Sequence, residues 1–125
     1  MTDSNRITLP QLRELLLSKR GATEERPFGP DTLVFKVMGK KFALVGEKND
    51  PLRITLKCNP DDALALRDQY PAIIPGYHMN KKHWNTIILD GTVPEPEFLR
   101  LIDHSYTLVV KTLKKADREK LANQT

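Results

Sequence analysis

LVFKVMGKKFALVGEKNDPLRITLKC, residues 33–58, decides the fold. Its apolar residues recur at every second position. Leu33, Phe35 and Val37 point one way, while Val34, Lys36 and Met38 point the other, which is the period of an extended strand. Gly39-Lys40 signals a tight turn into KFALVG, residues 41–46. Residues 47–51, EKNDP, form a longer charged turn. In LRITLKC, Leu52, Ile54, Leu56 and Cys58 alternate with Arg53, Thr55 and Lys57, so this segment predicts a strand with one buried and one wet face. Strands joined by short turns pair antiparallel, and the whole stretch therefore predicts a β-meander.

Outward from the meander the period lengthens. Upstream, Thr8 is placed to cap a helix that carries Pro10 early, where a missing N–H costs little. Leu9, Leu12, Leu15 and Leu16 share one helical face, and Gly21 follows Lys19 and Arg20 as a stop signal. Residues 22–31, ATEERPFGPD, mix a short extended candidate with turn signals. Downstream, Asn59 caps a second helix that opens Pro60-Asp61-Asp62, with both acids at the positive end of its dipole. Residues 71–82, PAIIPGYHMNKK, read as loop. HWNTIIL, residues 83–89, reads as a strand stopped by Asp90-Gly91. A last helix starts near Pro94 to Glu97 and keeps its period through Phe98, Leu101, Ile102, Ser105, Leu108, Val109 and Leu113, with a short basic helical tail from Lys114. The order α, meander, α, β, α predicts an α+β fold, an antiparallel β-sheet with helices packed on one face. Lys36, Arg53 and Lys57 then lie on the face turned away from the helices.

A chain of 125 residues fits one domain, residues 1–125, with residues 1–6 and 122–125 expected to fray. Such a domain buries roughly two-thirds of its unfolded surface and needs no covalent staples. Cys58 is the single cysteine, which excludes an internal disulfide and a cysteine metal cluster. Its strand phase makes it a buried structural thiol. The polar start, Met1 to Arg6, lacks the apolar core of a signal peptide. No apolar run approaches the ~20 residues of a membrane span, so the cytoplasm is the expected compartment.

Catalytic patterns are absent from the residues. A nucleophile needs an activating base and an orienting group, and no serine or cysteine sits in such a context. His78 and His83 are spaced unlike helical zinc ligands, and Lys81 and Lys82 between them oppose a cation. Asp61-Asp62 is explained by the helix N-terminus. His104 flanks the apolar face of the last helix as a capping or surface group. Gly39-Lys40-Lys41 lacks the G-x-x-x-x-G-K-[ST] run that cradles phosphates. The expectation is a protein that is not an enzyme and uses no cofactor and no metal.

The basic residues are more informative. The formal charge is +4 with a pI near 9.3, which permits contact with nucleic acid without demanding it. Residues 36–48 hold Lys36, Lys40, Lys41 and Lys48 against Glu47 alone. Residues 71–88 hold Lys81 and Lys82 with no acid, next to His83 and Trp84. If the meander brings these segments together, they form a positive ridge that binds phosphates through ion release. Trp84 would stack on a base or donate its indole N–H. On the plainer reading, the lysines solvate turns and edges, and Trp84 is a partly buried core residue.

PFGPDTLVFKVMGKKFALVG at 27–46, NKKHWNTIILDG at 80–91 and HSYTLVVKTL at 104–113 resemble the MmcQ/YjbR family, in matching order and separation. The resemblance implies a CyaY/YjbR-like α+β fold and DNA binding through a double-wing motif, a description resting on fold analogy. The wings map onto the turns around Lys40-Lys41 and Glu47-Lys48-Asn49, and the lysine–tryptophan motif onto Lys82, His83, Trp84 and Asn85. The iron-binding acidic ridge of frataxin is unmatched, since the first helix carries only Glu14. The expected partner is double-stranded DNA, met by a monomer away from any membrane. Lys36, Lys40, Lys41, Lys48, Lys81, Lys82, His83, Trp84 and Asn85 are the contact candidates. The alternative is a non-catalytic protein- or small-ligand-binding module that uses the open sheet face, with Val34, Met38, Thr55 and Trp84 at its centre and Lys36 and Arg53 on its rim.

Overall fold

The computed structural model describes residues 6–76 and 79–123. His78, considered above with His83, lies outside them, as do residues 1–5, 124 and 125 of the two segments expected to fray. The described elements run α1 (Leu9–Leu17), β1 (Ala22–Glu25), β2 (Thr32–Val37), β3 (Lys40–Gly46), β4 (Arg53–Lys57), α2 (Pro60–Gln69), β5 (Ile73–Pro75), β6 (Trp84–Ile88), α3 (Glu95–Lys111) and α4 (Lys115–Ala122). The fold is α+β, with one antiparallel sheet ordered β1-β2-β3-β4-β6-β5.

Local chemistry sets the helix starts. Thr8 and Gln11 form a capping box, with Gln11 N–H donating to Thr8 Oγ1 and Thr8 N–H to Gln11 Oε1. Asn59 accepts from the Asp61 N–H at 3.0 Å and opens α2. Helix α1 stops at Leu17, short of the expected Gly21. The Ser18 hydroxyl there donates to the Leu15 carbonyl, a local bond that competes with helix continuation.

The β1–β4 meander matches its sequence pattern, with two adjustments. The β2–β3 turn is centred on Met38-Gly39, not Gly39-Lys40. Met38 has φ 49° and Gly39 φ 83°, the left-handed pair of a primed hairpin turn. Met38 consequently packs against the helix-side core and leaves the opposite face. The second adjustment is a bulge. Phe35 pairs with Ala43 but Lys36 pairs with Lys41, so Phe42 is an extra residue in β3. Phe42 and Ala43 are both buried in the helix-side core. The strict alternation is broken there, which sends Lys40 toward the helices and Lys41 to the far face.

Strand β5 lies within the segment read as loop. Pro71 and Pro75 hid it, yet proline is tolerated at the end of an edge strand because no ladder donor is needed. Strand β6 enters the sheet between β4 and β5.

The core fills the space between α1, α2, α3 and the sheet. Leu12, Leu16, Phe35, Phe42, Ile54 and Ile102 are fully buried in it, each large side chain stabilising the fold by about 1.5–3 kcal/mol. Ser105 of α3 is also fully buried. Its hydroxyl donates to the Phe42 carbonyl at 2.6 Å and accepts from the Lys57 N–H at 2.9 Å, joining α3 to β3 and β4. The far face of the sheet is not uniformly wet. Val34, Thr55, Trp84 and Thr86 are buried on it, and Phe28, Asp31 and Met79 rise from connecting segments to wall a groove there.

Candidate functional site

The register fixes which charges meet. Ala43 pairs with Leu56, and Leu56 with Asn85. Farther along, Lys57 pairs with Trp84, and the Cys58 N–H donates to the His83 carbonyl at 2.8 Å. The start of β3, the end of β4 and the start of β6 therefore share one end of the sheet, that of the Met38-Gly39 turn. Strand β6 lies two strand spacings from β3, about 10 Å. The Lys40-Lys41 and Lys81-Lys82 segments, distant in sequence, thus come to the same end.

Not every candidate joins them. Lys41 lines the far-face groove with its Nζ 5.8 Å from the Phe28 ring centroid. Lys81 and Lys82 are exposed, in a turn closed by the Lys82 N–H donating to Asn80 Oδ1. None of these three ammonium groups has a carboxylate partner among the described residues. Lys40 donates to the Thr112 carbonyl at 3.1 Å and to Thr112 Oγ1, at the C-terminus of α3. Its charge remains at this end but faces the helix layer. Lys36 lies 2.6 Å from Glu25; the acid offsets the repulsion between Lys36 and Lys41, which stand opposite each other. Lys48 lies beyond the other end of β3, 3.3 Å from Asp31. The two expected wings therefore sit at opposite ends of the sheet, and only one meets the Lys81-Lys82 segment.

The lysine–tryptophan motif divides in the same way. His83 is half-buried. Trp84 is 9% exposed and Asn85 4% exposed. Asn85 points into the helix side, where Nδ2 donates to the Ala63 carbonyl and anchors α2. Trp84 and Asn85 are scaffold in this structure and present no base-reading edge. The expectations that Trp84 stacks on a base and that Asn85 contacts DNA are corrected by their burial, and the plainer reading of Trp84 holds.

Sequence reasoning left four lysines out of the basic end. Lys57 ends β4 between the two lysine segments, where its alternation showed the face but not the neighbours. Lys111, Lys114 and Lys115 flank Thr112, to which Lys40 is bonded.

The remaining candidates are structural. Burial, with a smaller contribution from Asp62, pushes the Cys58 thiol up to about 11, so it stays a neutral core group. His104 Nε2 accepts from the Asn59 N–H at 3.2 Å and supports the cap of α2. Among the described residues no group of three His, Cys, Asp or Glu side chains is arranged to hold a metal, and no helix is long and apolar enough to cross a membrane.

Residues 17–108 match the family described as YjbR. The chain belongs to the YjbR family. MmcQ is a synonym of that family, so the resemblance noted in the sequence is borne out. YbdF of Escherichia coli O157:H7 is 42% identical over 95 residues, covering 76% of this chain and 78% of that one. YjbR of Escherichia coli K12 is 32% identical over 115 residues, covering 92% and 98%. Both names describe uncharacterised proteins. The crystal structure of the Deinococcus radiodurans protein DR2400, a DUF419 domain, superposes with TM-score 0.87 at 41% identity, over 97% of this chain and 92% of that one. The stretch matched to the YjbR family contains the Met38-Gly39 turn and the Lys81-Lys82 segment, whereas Lys111, Lys114 and Lys115 lie beyond it.

Proposed function

We propose that this YjbR-family domain binds duplex DNA through the phosphate backbone, using the Met38-Gly39 end of the sheet. The carrying observation is that three adjacent strands bring Lys41, Lys57, Lys81 and Lys82 to one end, none with a carboxylate partner among the described residues. Lysines act there as point charges that displace condensed counterions. Lys40, Lys111, Lys114 and Lys115 add to the field from the helix side. Because Trp84 and Asn85 are buried, the surface offers phosphate contacts with little base readout, and weak sequence preference follows. The reading is of a binding module that performs no chemical step.

The test is a titration of a labelled duplex across a range of salt concentrations. Four phosphate contacts give a log–log slope of about −3.6. The triple variant Lys41→Gln/Lys81→Gln/Lys82→Gln should bind much more weakly and flatten the slope to about −1. A wild-type affinity and slope in that variant would remove the proposal.

A further inference from the structure

The far face of the sheet carries a second feature, which shares only Lys41 with the surface assigned to DNA. A groove of about 690 Å³ crosses it, within the range of about 300–1,000 Å³ typical of small-ligand sites. Phe28 and Asp31 wall one side, Ile74, Pro75 and Met79 the other, and Leu44 lies between them. Phe28 is 65% exposed, and leaving so large an aromatic in water is costly unless something covers it. The floor includes Thr55 and Thr86, whose hydroxyls share a hydrogen bond of 2.8 Å.

The charges on the lining choose the occupant. Lys48 is offset by Asp31 at 3.3 Å. Arg53 is exposed on the lining and has no ion-pair partner among the described residues, and Lys41 lies against the Phe28 ring. The lining thus combines apolar walls with two uncompensated cations. A neutral occupant would desolvate those cations without replacing their water, at a cost that an anion avoids. The planar fork of a guanidinium matches a carboxylate with two parallel hydrogen bonds.

We infer that the far-face groove is a binding site for a small organic carboxylate with an apolar, ring-sized body. The body lies between Phe28 and the Ile74–Pro75–Met79 wall, and the carboxylate meets Arg53. Lys41 lines the groove and also belongs to the surface assigned to DNA, whereas Arg53 and Phe28 do not, so variants at Arg53 and Phe28 test the groove separately from that surface.

The test uses 1-anilinonaphthalene-8-sulfonate as a fluorescent probe on the full chain, with displacement by naphthalene-2-carboxylate and by its neutral carboxamide. Saturable single-site binding is expected, with the carboxamide about tenfold weaker than the carboxylate. Arg53→Gln should weaken the carboxylate by about tenfold, Arg53→Lys less, and Phe28→Ala several-fold. All three should keep the wild-type melting temperature, since both side chains are exposed, and bind the labelled duplex with nearly unchanged affinity. Unsaturable probe binding, an equally effective carboxamide, or an Arg53→Gln protein that binds carboxylate normally would overturn the inference.

Discussion

The Nζ of Lys40 donates to the backbone carbonyl of Thr112 at 3.1 Å. This bond joins the β2–β3 hairpin to the C-terminus of α3, where unpaired carbonyls carry partial negative charge. It follows from the bulge at Phe42, which turns Lys40 to the helix side while Lys41 faces the groove. Two adjacent lysines of one turn therefore have different work: the first holds a helix end, the second stays available to anions.

Replacing Lys40 with Ala should lower stability in urea by about 0.5–1 kcal/mol, with a smaller loss of DNA affinity than Lys81→Ala/Lys82→Ala. A larger loss of DNA affinity from Lys40→Ala would assign Lys40 to the interface.

Ser105→Ala should be more damaging. The substitution removes one hydroxyl but strands two backbone groups, the buried Phe42 carbonyl and the part-buried Lys57 N–H. A loss of about 2–4 kcal/mol is expected from chemical denaturation. A change within a few tenths of wild type would mean that these groups find other partners.

Acid sensitivity should report the α1–β1 contact. Arg13 Nε donates to Glu24 Oε2 at 2.9 Å, and the guanidinium holds the Glu24 carboxyl below the usual carboxylate range. The unfolded chain, with an ordinary carboxyl value of about 4.3, takes up the proton first. The contribution is thus present above that value and lost as pH falls through the lowered folded value. Glu24→Gln should lower the denaturation midpoint slightly at pH 7, as expected for a solvent-screened, part-buried pair, and the difference from wild type should vanish in acid. A pH-independent difference would point to packing instead of charge.

The meander was legible because alternation has only two phases, and Leu33, Phe35 and Val37 satisfy one of them throughout. Helix starts were legible because Thr8 and Asn59 act on neighbours within a few residues. Three features escaped. Strand β5 is too short and too rich in proline to show a period. The bulge at Phe42 leaves no local signature, since an apolar residue beside alanine fits either face. The turn was displaced by one residue because Met38 adopts a left-handed conformation that glycine more often occupies. The site suffered most from these omissions. Lysines could be counted in the sequence, but only the strand order shows that Lys48 is remote from Lys81, and only burial removes Trp84 and Asn85 from the surface.

The most direct measurement compares charge reversal at the two ends of the sheet. Lys81→Glu/Lys82→Glu and Lys48→Glu would each be titrated against the same labelled duplex at several salt concentrations. The account predicts a steep loss of affinity and a slope shallower by about two contacts, near 1.8, for the first, with Lys48→Glu close to wild type. Equal effects at both ends, or a larger effect from Lys48→Glu, would contradict it.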